Sequence, residues 1–371
     1  MVNIFMNPSL QKNFDNATLN YDLNKFNWPL LVLKKIQEKY PVVKSLEKIH
    51  QQLSPTEIFE IAAQIQNEFL TEEWSILLDK FAETYIAPLL NGQRYLIKRQ
   101  PTLNIVIPNQ VAVGRRLPFH QGIFYDNGRG QGTIWMPLTK CYDSNSMWIA
   151  SLEDSRKLTK IAIEEKLSAA KFDLYSTLES IPVTLEPGQA HLFSQEHIHG
   201  NINNMTDMTR FAIDWHVLIE GEEYHNRLPG AFFRMPGDYV TDIHVDHSKS
   251  FLCYLSNNSE YDKQLTKHVQ RCTVEKYLNQ HKIKPNAWQF ENEFLTHLPI
   301  FKQLLDDPIE CIVVLSMYSI HDELLQLAID KGKEIHFANE YMCIKNQEDL
   351  DKTLQYKNFA VKKKGKLSFE E

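Results

Sequence analysis

The sequence predicts an α+β chain: an antiparallel double-sheet jelly roll, with helices ahead of it and a small α/β domain behind it. Three changes of rhythm carry this reading. From about residue 29 to 91 apolar residues recur at helical spacing. From about 92 to 245 short β-branched and aromatic runs are punctuated by Gly, Pro, Asn and Asp. From about 250 onward short apolar strands alternate with helical stretches, the mark of βαβ units and a parallel sheet. The expected divisions are 1–91 for a helical region packing on the barrel, 92–248 for the roll and 249–371 for the small α/β domain.

In the first zone "SPTEIFEIAAQIQNEFL" places Ser54 at a helix start with Glu57 three residues on, the spacing of a capping box. "TEEWSILLDKFAETYIAPLL" opens in the same manner on Thr71 and Glu73. Both are expected to be amphipathic helices lying on a sheet. In the second zone the strands are "YLIKRQ", "LNIVIP", "GTIWMPLT", "SMWIAS", "IPVTLE", "QAHLFS" and "TRFAIDWHVLI". "LEPGQ" reads as a tight turn with Gly188 at positive φ, and "SRKLTKIAIEEKLSAAKF" as a helical insertion. Many short strands carrying histidines suggest the double-stranded β-helix of cupin-like proteins. In the third zone "SFLCYLSNN", "PNAWQFE", "ECIVVLSMYSI" and "EIHFANE" are the strands. "YDKQLTKHVQRCTVEKYLNQ", "NEFLTHLPIFKQLLD" and "HDELLQLAIDKGK" are the helices between them, and "VKKKGKLSFEE" is a charged tail.

Composition narrows the partners. A chain of 371 residues holds two or three domains, and 43% apolar with 23% charged residues is a globular mixture. A net charge of −7 argues against nucleic acid and anionic membrane surfaces. Five scattered cysteines (Cys141, Cys253, Cys272, Cys311, Cys343) form no CxxC pair and suit a reducing compartment. With no basic-then-apolar leader and no apolar run of membrane length, a cytoplasmic protein acting on a small-molecule substrate is expected.

The chemistry-bearing residues lie in the second zone. "PFHQGIFYDN" brings His120, and "HIHGNINNMTDMTRFAIDW" brings His199 and, eleven residues later, Arg210. Two histidines and one carboxylate on one face make a non-haem iron site with open positions. The planar fork of an arginine suits the distal carboxylate of a keto-acid. On a strand from Thr209, residues Arg210, Ala212 and Asp214 share one face and Phe211, Ile213 and Trp215 the other. Arg210 is therefore expected to point into the barrel.

"LPFHQGIFYDNGRGQGTIWMPLTKCYDSNSMWI" and "LEPGQAHLFSQEHIHGNINNMTDMTRFAIDWHV" together resemble the phytanoyl-CoA-hydroxylase-like branch of the Fe(II)/2-oxoglutarate oxygenases. Within it they are most similar to the type found in sporadic carbohydrate clusters. The resemblance spans roughly residues 95 to 235. It implies iron held by His120 and His199, 2-oxoglutarate anchored by Arg210, O2 as co-substrate, and a carbohydrate, nucleotide-sugar or sugar-linked metabolite as substrate. Two positions depart from the family. Ala212 replaces a Ser or Thr that often assists the arginine, a task Thr133 is expected to take. Gly122 replaces the aspartate ligand.

Gly122 leaves three readings. The first is an oxygenase of hydroxylase type, with water or another carboxylate such as Asp126 or Glu196 in the vacated place. The second is a halogenase, with chloride there. The third is a decayed site that only binds carbohydrate or scaffolds. His197 and His191 are expected to be structural. "HVDH" at 244–247, with His244 and Asp246 in HxD spacing, lacks the surrounding motif. "GRGQG" is expected to line the site mouth rather than cradle phosphate, and Phe124, Tyr125, Trp135 and Trp148 to serve the core.

The third zone resembles the small sporadic-carbohydrate-cluster domain found beside such oxygenases, with a layout similar to a flavodoxin-like or resolvase-like fold. Strand carboxyl ends would place Tyr254, Ser256, Ser316, Tyr318 and Glu340 at a ligand site. The competing expectation is a packing domain or the contact of a homodimer. No GxGxxG or P-loop points to a nucleotide.

Overall fold

The computed structural model describes residues 13–109, 119–124, 127–128, 130–165, 179–221, 229–238, 243, 245–256, 265–291 and 298–359. They fall into two compact units. The first runs through residue 228 and takes in 232–239, and the second consists of 229–231 and 240–359.

The first unit opens with a strand, β1 (Ala17–Asn20), followed by α1 (Trp28–Lys39), α2 (Pro55–Glu68) and α3 (Glu72–Phe81). Strands β2 (Tyr95–Lys98), β3 (Thr102–Val106), β4 (Gln131–Pro137) and β5 (Met147–Ala150) come next. After α4 (Leu152–Glu164) come β6 (Ser180–Pro182), β7 (Gln189–Ser194), β8 (His199–Asn201), β9 (Arg210–Ile219) and β10 (Phe233–Arg234). Seven strands form one sheet in the order β1-β7-β4-β9-β2-β10, with β3 also paired to β9, and β6-β5-β8 form a second. From β4 the chain crosses to β5 and β6, returns to β7, crosses to β8 and returns to β9. This back-and-forth winding is that of a double-sheet roll, and all the described pairings in it are antiparallel.

Strand β9 shows why the sheet has two different faces. Phe211, Ile213, Trp215 and Val217 join Trp28, Val32, Ile58, Ile61, Leu78 and Phe81 in a core between sheet and helices. The alternate residues face the other sheet, where Trp135, Phe193 and Ala212 meet Met147, Ile149, Val183 and Leu185. The expected capping box is formed: Glu57 N donates to Ser54 Oγ, and Ser54 N donates to the Glu57 carboxylate. Thr71 stands at the start of α3, but its hydroxyl donates back to Glu68 O. Gly188 takes φ +93° in its turn.

The amino-terminal region is not wholly helical. Ala17–Asn20 pairs along β7, so this stretch is an edge of the roll. Four residues are too few for periodicity to declare. Residues 166–178 of the helical insertion lie outside the described residues, as do Tyr125, Asp126 and His244.

The second unit contains β11 (Phe251–Ser256), α5 (Lys267–Gln280), β12 (Ala287–Glu291), α6 (Pro299–Asp306), β13 (Cys311–Val314), α7 (Asp322–Asp330), β14 (Glu334–Phe337), β15 (Met342–Ile344) and α8 (Gln347–Phe359). The sheet order is β12-β11-β13-β14-β15. The first four strands are parallel and β15 is antiparallel, a common edge on an otherwise parallel sheet. Among the described residues no helix is long and apolar enough to cross a membrane.

Candidate active site

His120 and His199 meet backbone to backbone. Each donates its N–H to the other's carbonyl, at 2.9 and 3.0 Å, across an antiparallel bridge. Their ring centroids are 4.3 Å apart. The turn bearing His120 is held from behind by Gln121, whose amide donates to Thr159 Oγ1 at 2.7 Å and to Glu196 O at 2.6 Å. His199 Nδ1 lies 3.0 Å from His197 O. Donation there places the lone pair on Nε2, the arrangement that prepares an imidazole for a metal. Burial lowers the pKa of His199 to about 4, so the ring is neutral at physiological pH.

Arg210 is 1% exposed and projects from β9 into the space between the sheets. Its Nη1 donates to Asn201 Oδ1 at 2.7 Å, and the guanidinium lies 5.7 Å from the Trp135 ring centre. Among the described residues no carboxylate pairs with it, and its Nε has no hydrogen-bond partner. Burial lowers its pKa to about 10. Asn201 is two residues beyond His199 on β8, hence on the same face and about 7 Å along it. Through Asn201 the guanidinium is therefore held on the same face of β8 as His199.

Thr133 does not assist this arginine. It pairs with His216, six residues along β9 from Arg210 or roughly 20 Å, and its Oγ1 accepts from Gln195 Nε2 at 2.6 Å. Asn201 holds Arg210 instead. The amide that "HGN" brings back onto the face of His199 escaped the sequence reading, because three residues of strand are too few to show a period.

Gly122 begins a short 3₁₀ turn, and the space beside it is filled. A Cβ there would lie 1.7 Å from Gln195 Oε1, 2.8 Å from its Cδ and 2.9 Å from Asn127 Nδ2. The side-chain amide of Gln195 thus occupies the place where an aspartate would be rooted. Glu196 is no substitute carboxylate, because Arg156 grips it through Nη2 at 2.9 Å and Nε at 3.3 Å. Asp126 lies outside the described residues.

A second acidic group faces the interior. Asp214 accepts from His216 Nε2 at 2.9 Å and has Lys98 Nζ at 3.5 Å. These neighbours overcome burial and hold its carboxyl well below the usual carboxylate range; its charge also acts on His199. His120, His199 and Asp214 do not form a preassembled three-ligand cluster within 4.8 Å.

His197 is structural: it is fully buried, with Nδ1 near Ser194 N and Oγ at 3.2 and 3.0 Å. His191 meets Asn16 Oδ1 at 2.7 Å. Asp246 of "HVDH" accepts from Ser248 in a local turn. In the second unit Ser316 donates to Glu340 at 2.6 Å, and Tyr254 bonds Glu291 instead. Ser316, Glu340 and the backbone of Tyr318 thus meet, and Tyr254 turns to Glu291. Glu340 is fully buried, and burial raises its pKa to about 7.

No protein-family model matches the chain. Among curated proteins it is 25% identical to the streptomycin biosynthesis protein StrG of Streptomyces griseus over 147 residues, 38% of this chain and 58% of StrG. Among solved structures it is similar to a non-heme monooxygenase, the ThoJ–nickel complex, at 15% identity and TM-score 0.35, covering 57% of this chain and 77% of that one. It is also similar to EctD from S. alaskensis with 2-oxoglutarate and 5-hydroxyectoine, at 13% identity and TM-score 0.36, covering 59% and 78%. These likenesses are too distant to assign the chain to a family.

Proposed function

We propose that the roll is an Fe(II)- and 2-oxoglutarate-dependent oxygenase of hydroxylase type acting on a sugar or sugar-linked small metabolite. The observation that carries this reading is Arg210. A guanidinium buried without a carboxylate is costly, by several kcal/mol, unless a ligand brings the counter-charge. It shares the face of β8 with His199, whose imidazole is kept neutral by burial and has its Nε2 prepared for a metal. Bound Fe(II) would supply the redox centre at which 2-oxoglutarate and O2 are consumed. Arg210 would hold the far carboxylate of the keto-acid, Asn201 would keep Arg210 aimed, and the Trp135 face would exclude water beside it.

Gln195 favours oxygen transfer over chlorination. Chloride in the vacated position would meet the amide oxygen of Gln195, an acceptor whose dipole repels an anion, while its NH2 is committed to Thr133. The same oxygen is a neutral donor within reach of the site. Arg210, with no carboxylate paired to it among the described residues, likewise disfavours a decayed scaffold, in which no ligand would complete the compensation begun by Asn201 and Trp135.

Support for the substrate class comes from the interior and from StrG, whose name places it in streptomycin biosynthesis. Asp214, His216, Lys98 and Thr102 offer charged and hydroxyl groups suited to a polyol rather than an apolar chain. The test is a screen of sugars and nucleotide sugars for stimulated succinate release, followed by turnover under heavy-isotope dioxygen in chloride and then bromide. The expected product gains one labelled oxygen in both salts. A product whose mass follows the halide would restore the halogenase, and no turnover with intact iron and keto-acid binding would restrict the role to binding.

A further inference from the structure

We propose that the second unit holds a site for a divalent transition metal of the zinc class, formed by Cys311, Glu334 and His336. It lies at the amino-terminal edge of the parallel strands, opposite the end where Ser316 and Glu340 meet. Cys311 opens β13 and Glu334 opens β14, directly across from each other, and His336 follows two residues on, on the same face. Cys311 Sγ is 3.6 Å from Glu334 Oε2, and His336 Nε2 is 3.7 Å from that same oxygen. The three ligand atoms lie within 4.8 Å of one another. A tetrahedral zinc with ordinary bond lengths would hold sulfur and oxygen about 3.6 Å apart and nitrogen and oxygen about 3.3 Å apart. The three donors are thus already near their bound spacing.

His336 supplies the independent sign of a ligand. Its side chain is fully buried, Nε2 has no hydrogen-bond partner among the described residues, and the opposite nitrogen, Nδ1, lies 2.9 Å from Tyr277 Oη. A ring fixed at Nδ1 and bare at a buried Nε2 is the arrangement of a metal-bound histidine with an outer partner. Glu334 is oriented by Lys249, which holds Oε1 and leaves Oε2 turned toward the thiol and imidazole. The sulfur, nitrogen and oxygen set favours Zn(II) or Co(II) over Mg(II) or Ca(II). Without metal the Cys311 thiol is pushed up to about 12 by burial and by Glu334. Binding therefore forms a metal–sulfur bond and releases one proton from Cys311 to solvent. Lys345 Nζ, 3.8 Å from Oε2, is a competing cation that moderates affinity. Three protein ligands leave a fourth position for water.

Cobalt titration of the full-length chain under anaerobic conditions tests this independently of the histidine pair in the roll. A thiolate–cobalt charge-transfer band in the near ultraviolet is expected, with one proton released per ion. Cys311→Ser should abolish the band, whereas His120→Ala, and Cys272→Ser at the exposed Cys272 beside His268, should leave it unchanged. Lys345→Met keeps the three ligands and should tighten binding several-fold, which guards against a Cys311 variant that fails to fold. A band absent from the wild type, a band that survives Cys311→Ser, or an affinity indifferent to Lys345→Met would overturn the site.

Discussion

Replacing Arg210 by methionine should stabilise the ligand-free roll while removing its response to 2-oxoglutarate at concentrations that saturate the wild type. Lowering the guanidinium pKa from 12.5 to about 10 means that burial disfavours the charge by about 3 kcal/mol. The bond to Asn201 and the Trp135 face return part of this. Methionine fills much of the same volume without a charge, so a net gain of about 1–3 kcal/mol is expected, within the roughly 1–4 kcal/mol by which packed apolar replacements of buried ion pairs can stabilise. That corresponds to roughly 2–4 °C per kcal/mol in the melting of a unit of this size. For the wild type in redox-inert Mn(II), 2-oxoglutarate at a hundred times its Kd should add about 2.7 kcal/mol. The variant should show none of this. Differential scanning calorimetry with and without the keto-acid reads both effects. A variant that melts lower without ligand and keeps the 2-oxoglutarate shift would refute the assignment of Arg210 as an anion anchor.

Gly122→Asp should cost about 1–3 kcal/mol, because Gln195 must swing away from Thr133. In the Gly122→Asp/Gln195→Ala double variant the combined loss should fall short of the sum, and additive losses in denaturant titration would remove Gln195 from that space. Glu340 has a folded pKa of about 7 against an ordinary 4.5. Its contribution is complete below the unfolded value and is lost as pH rises through about 7, on the order of 3 kcal/mol in all. Glu340→Gln should flatten stability between about pH 4.5 and 7, and an unchanged slope would assign the dependence elsewhere. Ser54→Ala should lower stability by about 1 kcal/mol through loss of the capping box, checked by the same melts.

Much of this architecture was legible because it repeats. The alternation along "RFAIDWHV" separates the helix-facing residues from Arg210, Asp214 and His216, and Ser54 and Glu57 mark a helix start by spacing alone. Short pieces escaped. Strand β1, the three residues of β8, the two of β10 and antiparallel β15 are too brief for a period and exist through their pairing partners. At the site the histidine pair and the inward arginine were readable. The task given to Thr133 failed because distance across strands depends on register, which places Thr133 opposite His216. Gln195 was invisible for a related reason. A glycine announces missing volume, whereas what fills that volume comes from a residue 73 positions away that only folding brings beside it. Cys311, Glu334 and His336 drew no notice because a ladder between parallel strands, rather than a motif, unites them.

The central claim, that His120, His199 and Arg210 together hold iron and a keto-acid, is tested most directly by anaerobic absorption spectroscopy. Adding Fe(II) and then 2-oxoglutarate to the full chain should produce the visible charge-transfer band of a keto-acid chelated to iron. His199→Ala should lose the band, and Arg210→Met should require far more keto-acid to reach it. Cys311→Ser should leave it unchanged. A wild-type chain that binds iron without developing the band, or a band that is indifferent to both His199 and Arg210, would contradict the account.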